Sequence, residues 1–317
     1  MTYTQYGLIQ ASDFNTFVGN ATAGISTANT LNTVWGLGIL DTGYGQTGVP
    51  NVEPNTLVSH TDWGNLINIT KSIGNHQGTA ITQITPPAQG DRIETIAAIS
   101  TNLQSIYNAR FNAAAQGTTA TVSTVNSSTW SSAITFTHTV TFASATQARY
   151  FFNAGGQIAI NFSHPTGTGV NSLLSNLAVA CGTLVISAIN TGTCTIAGTS
   201  YTGFSKNGGS GTPLTLLTGT GFYGLTSINQ EVFKQTGTGT PSAYTGTFIS
   251  VNLRLNSTPG SATTLTITSL WDEVPNGGST LGLTSGSTTT VTVRPPSTTY
   301  LTNSWGTVSV VGTVSGS

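Results

Sequence analysis

The run Ala133-Ile134-Thr135-Phe136-Thr137-His138-Thr139-Val140-Thr141-Phe142 alternates without a break. Ile134, Phe136, His138, Val140 and Phe142 fall on one side, and Thr135, Thr137, Thr139 and Thr141 on the other. Successive side chains of a strand point to opposite faces, so this period of two fits a sheet with one face buried and one in water, and fits no helix. The same period returns at 157–162, 251–255 and 264–268. Shorter runs of strand type lie at 183–186, 290–293 and 308–310. Threonine recurs because its β-branch suits a pleated surface while its hydroxyl suits water. Clusters of Gly, Pro and Asn separate the runs, and many short strands with such turns predict a sandwich. The expectation is an antiparallel β-sandwich over residues 118–317, Ig-like or jelly-roll-like. It is interrupted by short helices at 144–153 and 171–180.

Residues 1–117 follow a different period. Ser12 and Asp13 form an N-terminal signal for a helix whose face is Phe14, Phe17 and Val18, extended by Ala21 and Ile25. Trp63, Leu66, Ile67 and Ile73 make a second helical stripe over 61–73, with Gly74 as its expected stop. Ile93, Ile96, Ala97, Leu103, Ile106, Tyr107 and Phe111 make a third stripe over 91–114. Between the first two lies the glycine-rich run from Trp35 to Gln46, which matches no phosphate-binding motif. It reads as a structural loop whose Trp35 and Tyr44 pack onto the helices. The fold class expected is therefore α+β, a small helical N-terminal region packed on a larger antiparallel β-sandwich.

Charge is what this chain lacks. Lys, Arg, Asp and Glu together make 5% of its 317 residues, against roughly a quarter in ordinary soluble domains. Hydrophobic residues make 37%, enough for a core, so the scarcity is not a sign of disorder. The formal net charge is −1, and the eight Lys and Arg are scattered singly. That argues against nucleic acid as a partner, because such binders carry basic patches. No apolar run reaches 18 residues, so no membrane span is expected. The first residues lack the basic and apolar regions of a secretory leader, so release without a cleaved signal, into a virion or the extracellular space, is the expected localisation.

The chemistry-bearing residues do not group. His60, His76, His138 and His164 have no partners at metal-ligand spacing apart from the weak His60 and Asp62 pair, and His138 reads as a core histidine. Asp272 and Glu273 are adjacent on a strand, so they point apart, and they read as a surface or turn pair rather than a hydrolytic one. No G-x-S-x-G run offers a nucleophile. Cys181 and Cys194 are either two buried thiols or a disulfide between neighbouring strands. Trp130, Trp271 and Trp305 read first as sandwich core and second as a sugar-binding surface. No enzyme, cofactor or metal is expected.

Several stretches resemble a known group of proteins. They are Asp13-Phe14-Asn15-Thr16-Phe17-Val18-Gly19, Asp41-Thr42-Gly43-Tyr44-Gly45-Gln46, Ala148-Arg149-Tyr150-Phe151-Phe152-Asn153-Ala154-Gly155-Gly156, and the run from Pro296 to Gly306 that contains Tyr300 and Trp305. The chain resembles, along its whole length, uncharacterised structural proteins of aquatic tailed phages, including phages of cyanobacteria. The resemblance implies a virion component and carries over no catalytic residue.

Near-zero charge leaves little repulsion between copies, and sheet edges without charge or proline are templates for another strand. The expected function is a non-enzymatic subunit that self-assembles into a helical fibre or tail-like filament by exchange of a terminal strand. Its first partner would be itself, with other virion proteins or host surface glycans as further ones. The termini are the natural donors. Residues 1–10 carry no charge, and Met1, Thr2, Tyr3, Thr4, Gln5, Tyr6, Leu8 and Ile9 form the expected assembly strand, with residues 306–317 the other candidate. The alternative is a receptor- or carbohydrate-binding fibre module.

Overall fold

The structure is a computed structural model, and it describes residues 11–19, 29–91, 96–237, 244, 246–275 and 281–316. Four helices come first: α1 (Ala11–Val18), α2 (Leu31–Trp35), α3 (His60–Gln77) and α4 (Ile96–Asn108). Phe14 and Phe17 of α1 meet Trp63 of α3, with ring centroids 5.2 and 6.2 Å apart. Ser59 and Asp62 open α3 with a reciprocal capping box, in which the Ser59 side chain accepts from the Asp62 N–H and Asp62 accepts from the Ser59 N–H.

Two helix ends differ from the sequence expectation. Helix α3 does not stop at Gly74 but continues to Gln77, and Gly78 takes the left-handed cap at φ 66°. Gly74 instead makes room: a Cβ there would stand 3.2 Å from Ile81, on the chain that returns past the helix. The added turn is held by tertiary bonds, since Gln77 Nε2 donates to Tyr44 Oη and to the Ile106 carbonyl, both at 2.8 Å. Helix α4 ends at Asn108, short of 114, because the chain beyond it bonds elsewhere. The Ala113 N–H donates to the Thr195 carbonyl at 3.0 Å and the Ala114 N–H to the His76 carbonyl at 2.7 Å.

The rest is a sandwich of two antiparallel sheets. Its strands are β1 (Ala120–Val125), β2 (Ala133–Thr141), β3 (Gln157–Ser163), β4 (Thr183–Ile186), β5 (Cys194–Ile196), β6 (Thr199–Tyr201), β7 (Phe204–Asn207), β8 (Thr215–Leu216), β9 (Gln230–Thr236), β10 (Phe248–Leu255), β11 (Thr264–Asp272), β12 (Thr288–Arg294) and β13 (Ser309–Ser315). Helices α5 (Ala145–Asn153) and α6 (Val170–Cys181) interrupt, where the sequence places them. One sheet has the order β1-β12-β3-β4-β7 and the other β13-β2-β11-β10-β9-β8, while β5 and β6 form a small ribbon. The alternation of β2 is realised residue by residue: Ile134, Phe136, His138 and Val140 are buried, with the intervening threonines half-exposed. Opposite them lies Trp271 of β11, whose ring centroid is 6.0 Å from those of Phe136 and Phe162. Trp130, Trp271 and Trp305 are all buried.

The glycine-rich loop joins the two regions. Tyr44 is buried against His76, and its Oη donates to the Arg110 carbonyl at 2.7 Å. The Asn153 amide, at the end of α5, reaches the Leu40, Thr42 and Gly43 carbonyls at 2.9 to 3.1 Å. Gln46 Nε2 donates to the Thr302 carbonyl at 3.0 Å. The loop is thus a clasp, held by side-chain amides that reach backbone carbonyls across it. Cys181 and Cys194 are two free, buried thiols, so the buried-thiol alternative is the one the structure displays and no disulfide joins them. Burial pushes the Cys181 thiol up to about 12 and the Cys194 thiol up to about 11.

Candidate functional site

Each sheet ends in two edge strands, and the sheet orders place them in contrasting pairs. On one side lie β7 and β8, of four and two residues. Lys206 sits in β7 with its Nζ donating to the Ser210 carbonyl at 3.3 Å. Lys234, in β9, is paired with Thr215 of β8 and lies over the Phe248 ring at 3.8 Å. Glu231 accepts from the Thr215 hydroxyl at 2.7 Å, and Pro213 precedes β8. Short strands, lysine and proline are the features that discourage a further strand from adding.

On the other side lie β1 and β13, of six and seven residues, with no charged residue and no proline in either. No Asp, Glu, Lys or Arg occurs from 111 to 148 or after 294. β1 pairs only with β12 and β13 only with β2 among the described residues. The two edges come together across the sandwich corner. Thr124 Oγ1 of β1 lies 2.9 Å from His138 Nε2 of β2, and Gly312 of β13 leaves the space, since a Cβ there would overlap the Thr124 hydroxyl. Apolar side chains remain uncovered at this corner: Val311 is 66% exposed, Val125 51% and Val314 36%. His138 is fully buried and its Nδ1 has no partner among the described residues. Burial lowers its pKa to about 4.

The assembly strand expected at Met1, Thr2, Tyr3, Thr4, Gln5, Tyr6, Leu8 and Ile9 lies outside the described residues. The other candidate, 306–317, is where β13 is found. Asp272 and Glu273 do point apart, but the expectation of a surface pair needs correcting. Asp272 is half-buried, whereas Glu273 is buried, with Oε1 accepting from the Leu281 N–H at 2.9 Å. Strand β11 carries the pair inward at the point where the Glu273 N–H bonds to Ser132. His60 opens α3 and Asp62 is spent on its cap, so the weak pair at those positions is part of a helix start. No group of three or more potential metal-ligating His, Cys, Asp or Glu occurs among the described residues.

A second feature had no signal in the sequence. A cleft of about 950 Å³ opens between the 36–43 loop, the end of α4, the 188–193 loop and the β10–β11 turn. At its edge Leu40 has φ 45° and is 55% exposed. A left-handed backbone costs a residue with a side chain about 1–2 kcal/mol, and burial returns little of that here. The Leu40 carbonyl is gripped by Arg149 Nε at 2.9 Å, Asn153 Nδ2 at 3.1 Å and Tyr223 Oη at 2.7 Å. Beside it stands the ion pair of Arg110 and Asp41, at 2.7 Å the single one among the described residues.

Compared with models of known protein families, with curated proteins and with solved structures, the chain matches none of them.

Proposed function

We propose that the protein is a non-enzymatic structural subunit that assembles with copies of itself into a fibre or filament, by strand addition or exchange at the β1 and β13 edges. The observation that carries this reading is the contrast between the two sides of the sandwich. Where β7 and β8 end the sheets, the edge is short and bears lysine; where β1 and β13 end them, it is long and uncharged. An edge of the second kind offers unpaired N–H and C=O groups to another strand. Repeating one such contact head to tail gives an open filament whenever the rotation does not close. The near absence of net charge removes the long-range repulsion that would oppose it. The acids named above are individually engaged or set apart, with Asp62 on a helix cap, Asp41 on Arg110, and Glu273 buried next to the half-buried Asp272 at the end of β11. A virion or another extracellular assembly is the setting this reading fits.

Negative-stain imaging of the full chain tests it, with a Val311→Lys/Thr313→Lys variant as control. Filaments from the parent chain and folded, dispersed protein from the variant support the reading. A parent chain that stays monomeric at high concentration, or a variant that forms the same filaments, overturns it.

A further inference from the structure

The cleft beside Leu40 has a chemistry that assembly does not use. We infer that it is a binding site for a neutral oligosaccharide, with Leu40 as its apolar contact. Its volume of about 950 Å³ is in the range of clefts that take small ligands.

Its polarity favours uncharged ligands over acidic ones. Arg110 is turned to protein acceptors: Nε donates to the Asp41 carbonyl at 3.2 Å, Nη2 to Asp41 Oδ2 at 2.7 Å and Nη1 to the Tyr107 carbonyl at 3.3 Å. Its guanidinium is also held over the Tyr107 and Phe111 rings at 4.7 and 4.6 Å. Arg149 directs Nε to the Leu40 carbonyl and Nη2 to the Leu37 and Thr42 carbonyls. The Arg110 charge is paired with Asp41, and Arg149 does not line the cleft, so no unpaired cation faces a phosphate, sulfate or carboxylate there. What the walls do offer is uncharged: the side chains of Asn108, Thr191, Thr193, Thr258 and Ser261, all exposed. Asp41 engages Arg110 through Oδ2, which leaves Oδ1 as an acceptor for a hydroxyl. Many hydroxyl groups and no charge is the complement of such a wall, and sugars supply it.

The second observation is Leu40 itself. Its turn is closed by the Thr42 N–H donating to the Ile39 carbonyl at 3.0 Å, and glycine or asparagine would hold the same backbone without strain. Leucine at that position is a cost to the fold, and three hydrogen bonds to its carbonyl prevent the backbone from relaxing. The side chain is held out at the cleft beside Gly260, where a Cβ would stand 2.9 Å from Leu40 Cδ2. A strained, exposed apolar residue on the lip of a hydroxyl- and amide-lined cleft suits the C–H face of a sugar ring, whose hydroxyls then turn to the walls. This inference stands independently of filament formation.

The test is an array of neutral and acidic oligosaccharides probed with the full chain and with two variants, Leu40→Gly and Ser261→Trp. Leu40→Gly relieves strain, so it folds at least as stably as the parent, and any loss of binding is not a folding defect. The expected result is retention of one or more neutral glycans, insensitive to added salt, with affinity falling by about tenfold or more in each variant. The inference is overturned if no neutral glycan is retained, if only acidic ones are, or if either variant binds as the parent does.

Discussion

The two sides of the sandwich are made by the same sheets and treated in opposite ways. The β7 and β8 side ends in strands of four and two residues with Lys206, Lys234 and Glu231 close by. The β1 and β13 side ends in strands of six and seven residues without a charge. Exposed apolar side chains do not make this difference, because Leu214 and Val179 are exposed outside the β1 and β13 corner. Scattered apolar residues are ordinary on a protein surface. The difference lies in what the backbone edge offers and what stands in front of it. Charge is scarce in the β region, with eight charged residues after 115, and three of them are placed beside the side that is closed.

The largest effect that would break this comparison is a guard on the open side. Val311→Lys/Thr313→Lys puts two lysines on the outward face of β13, and loss of all filaments by electron microscopy, with an unchanged circular dichroism spectrum, is the expected outcome. The next concerns acid. His138 under the open corner and His76 at the join of the two regions both have pKa values lowered by burial to about 4. The unfolded chain takes up those protons near pH 6.5 and the folded chain only near pH 4. Stability is therefore complete above pH 6.5 and falls as pH drops from there to 4, by about 3 kcal/mol for each histidine. Chemical denaturation at pH 7 and pH 4 measures it, and His138→Gln should remove part of the slope.

Filling the corner should cost less. Gly312→Ala places a methyl group against Thr124 and His138, and a loss of about 1–3 kcal/mol in the same denaturation experiment is expected. A smaller loss, about 1 kcal/mol, should follow Ser59→Ala, which removes the cap of α3 without touching either edge. That variant should still form filaments. The smallest effect is expected from Lys206→Thr, which weakens the guard on the closed side. Because β7 remains only four residues long, its filaments should keep the parent diameter in micrographs.

The elements themselves were legible in the sequence, and their neighbours were not. The period of two in β2 and β11 and the helical stripe of α3 name their buried residues because side-chain direction is a local property of the backbone. Gly74 and Gly78 show the limit. Gly74 is the expected stop and Gly78 the observed one, and the added turn is held by the bonds of Gln77 to Tyr44 and Ile106, which are distant from the helix end in sequence. Strand order has the same non-local origin. Lys206 and Lys234 are visible as letters, but that both stand on one side of the sandwich follows from pairings across the whole chain. Glu273 reads as a surface acid until β11 carries it past Ser132 into the interior. The strain at Leu40 leaves no mark in the sequence at all, since an ordinary leucine stands where the turn favours glycine.

Hydrogen exchange on assembled and dispersed protein tests the central claim most directly. Assembly through the open side predicts that amides of β1 and β13 gain protection in the filament while those of β7 and β8 do not change. Protection gained at β7 and β8, with β1 and β13 exchanging as fast as in the dispersed chain, would contradict it.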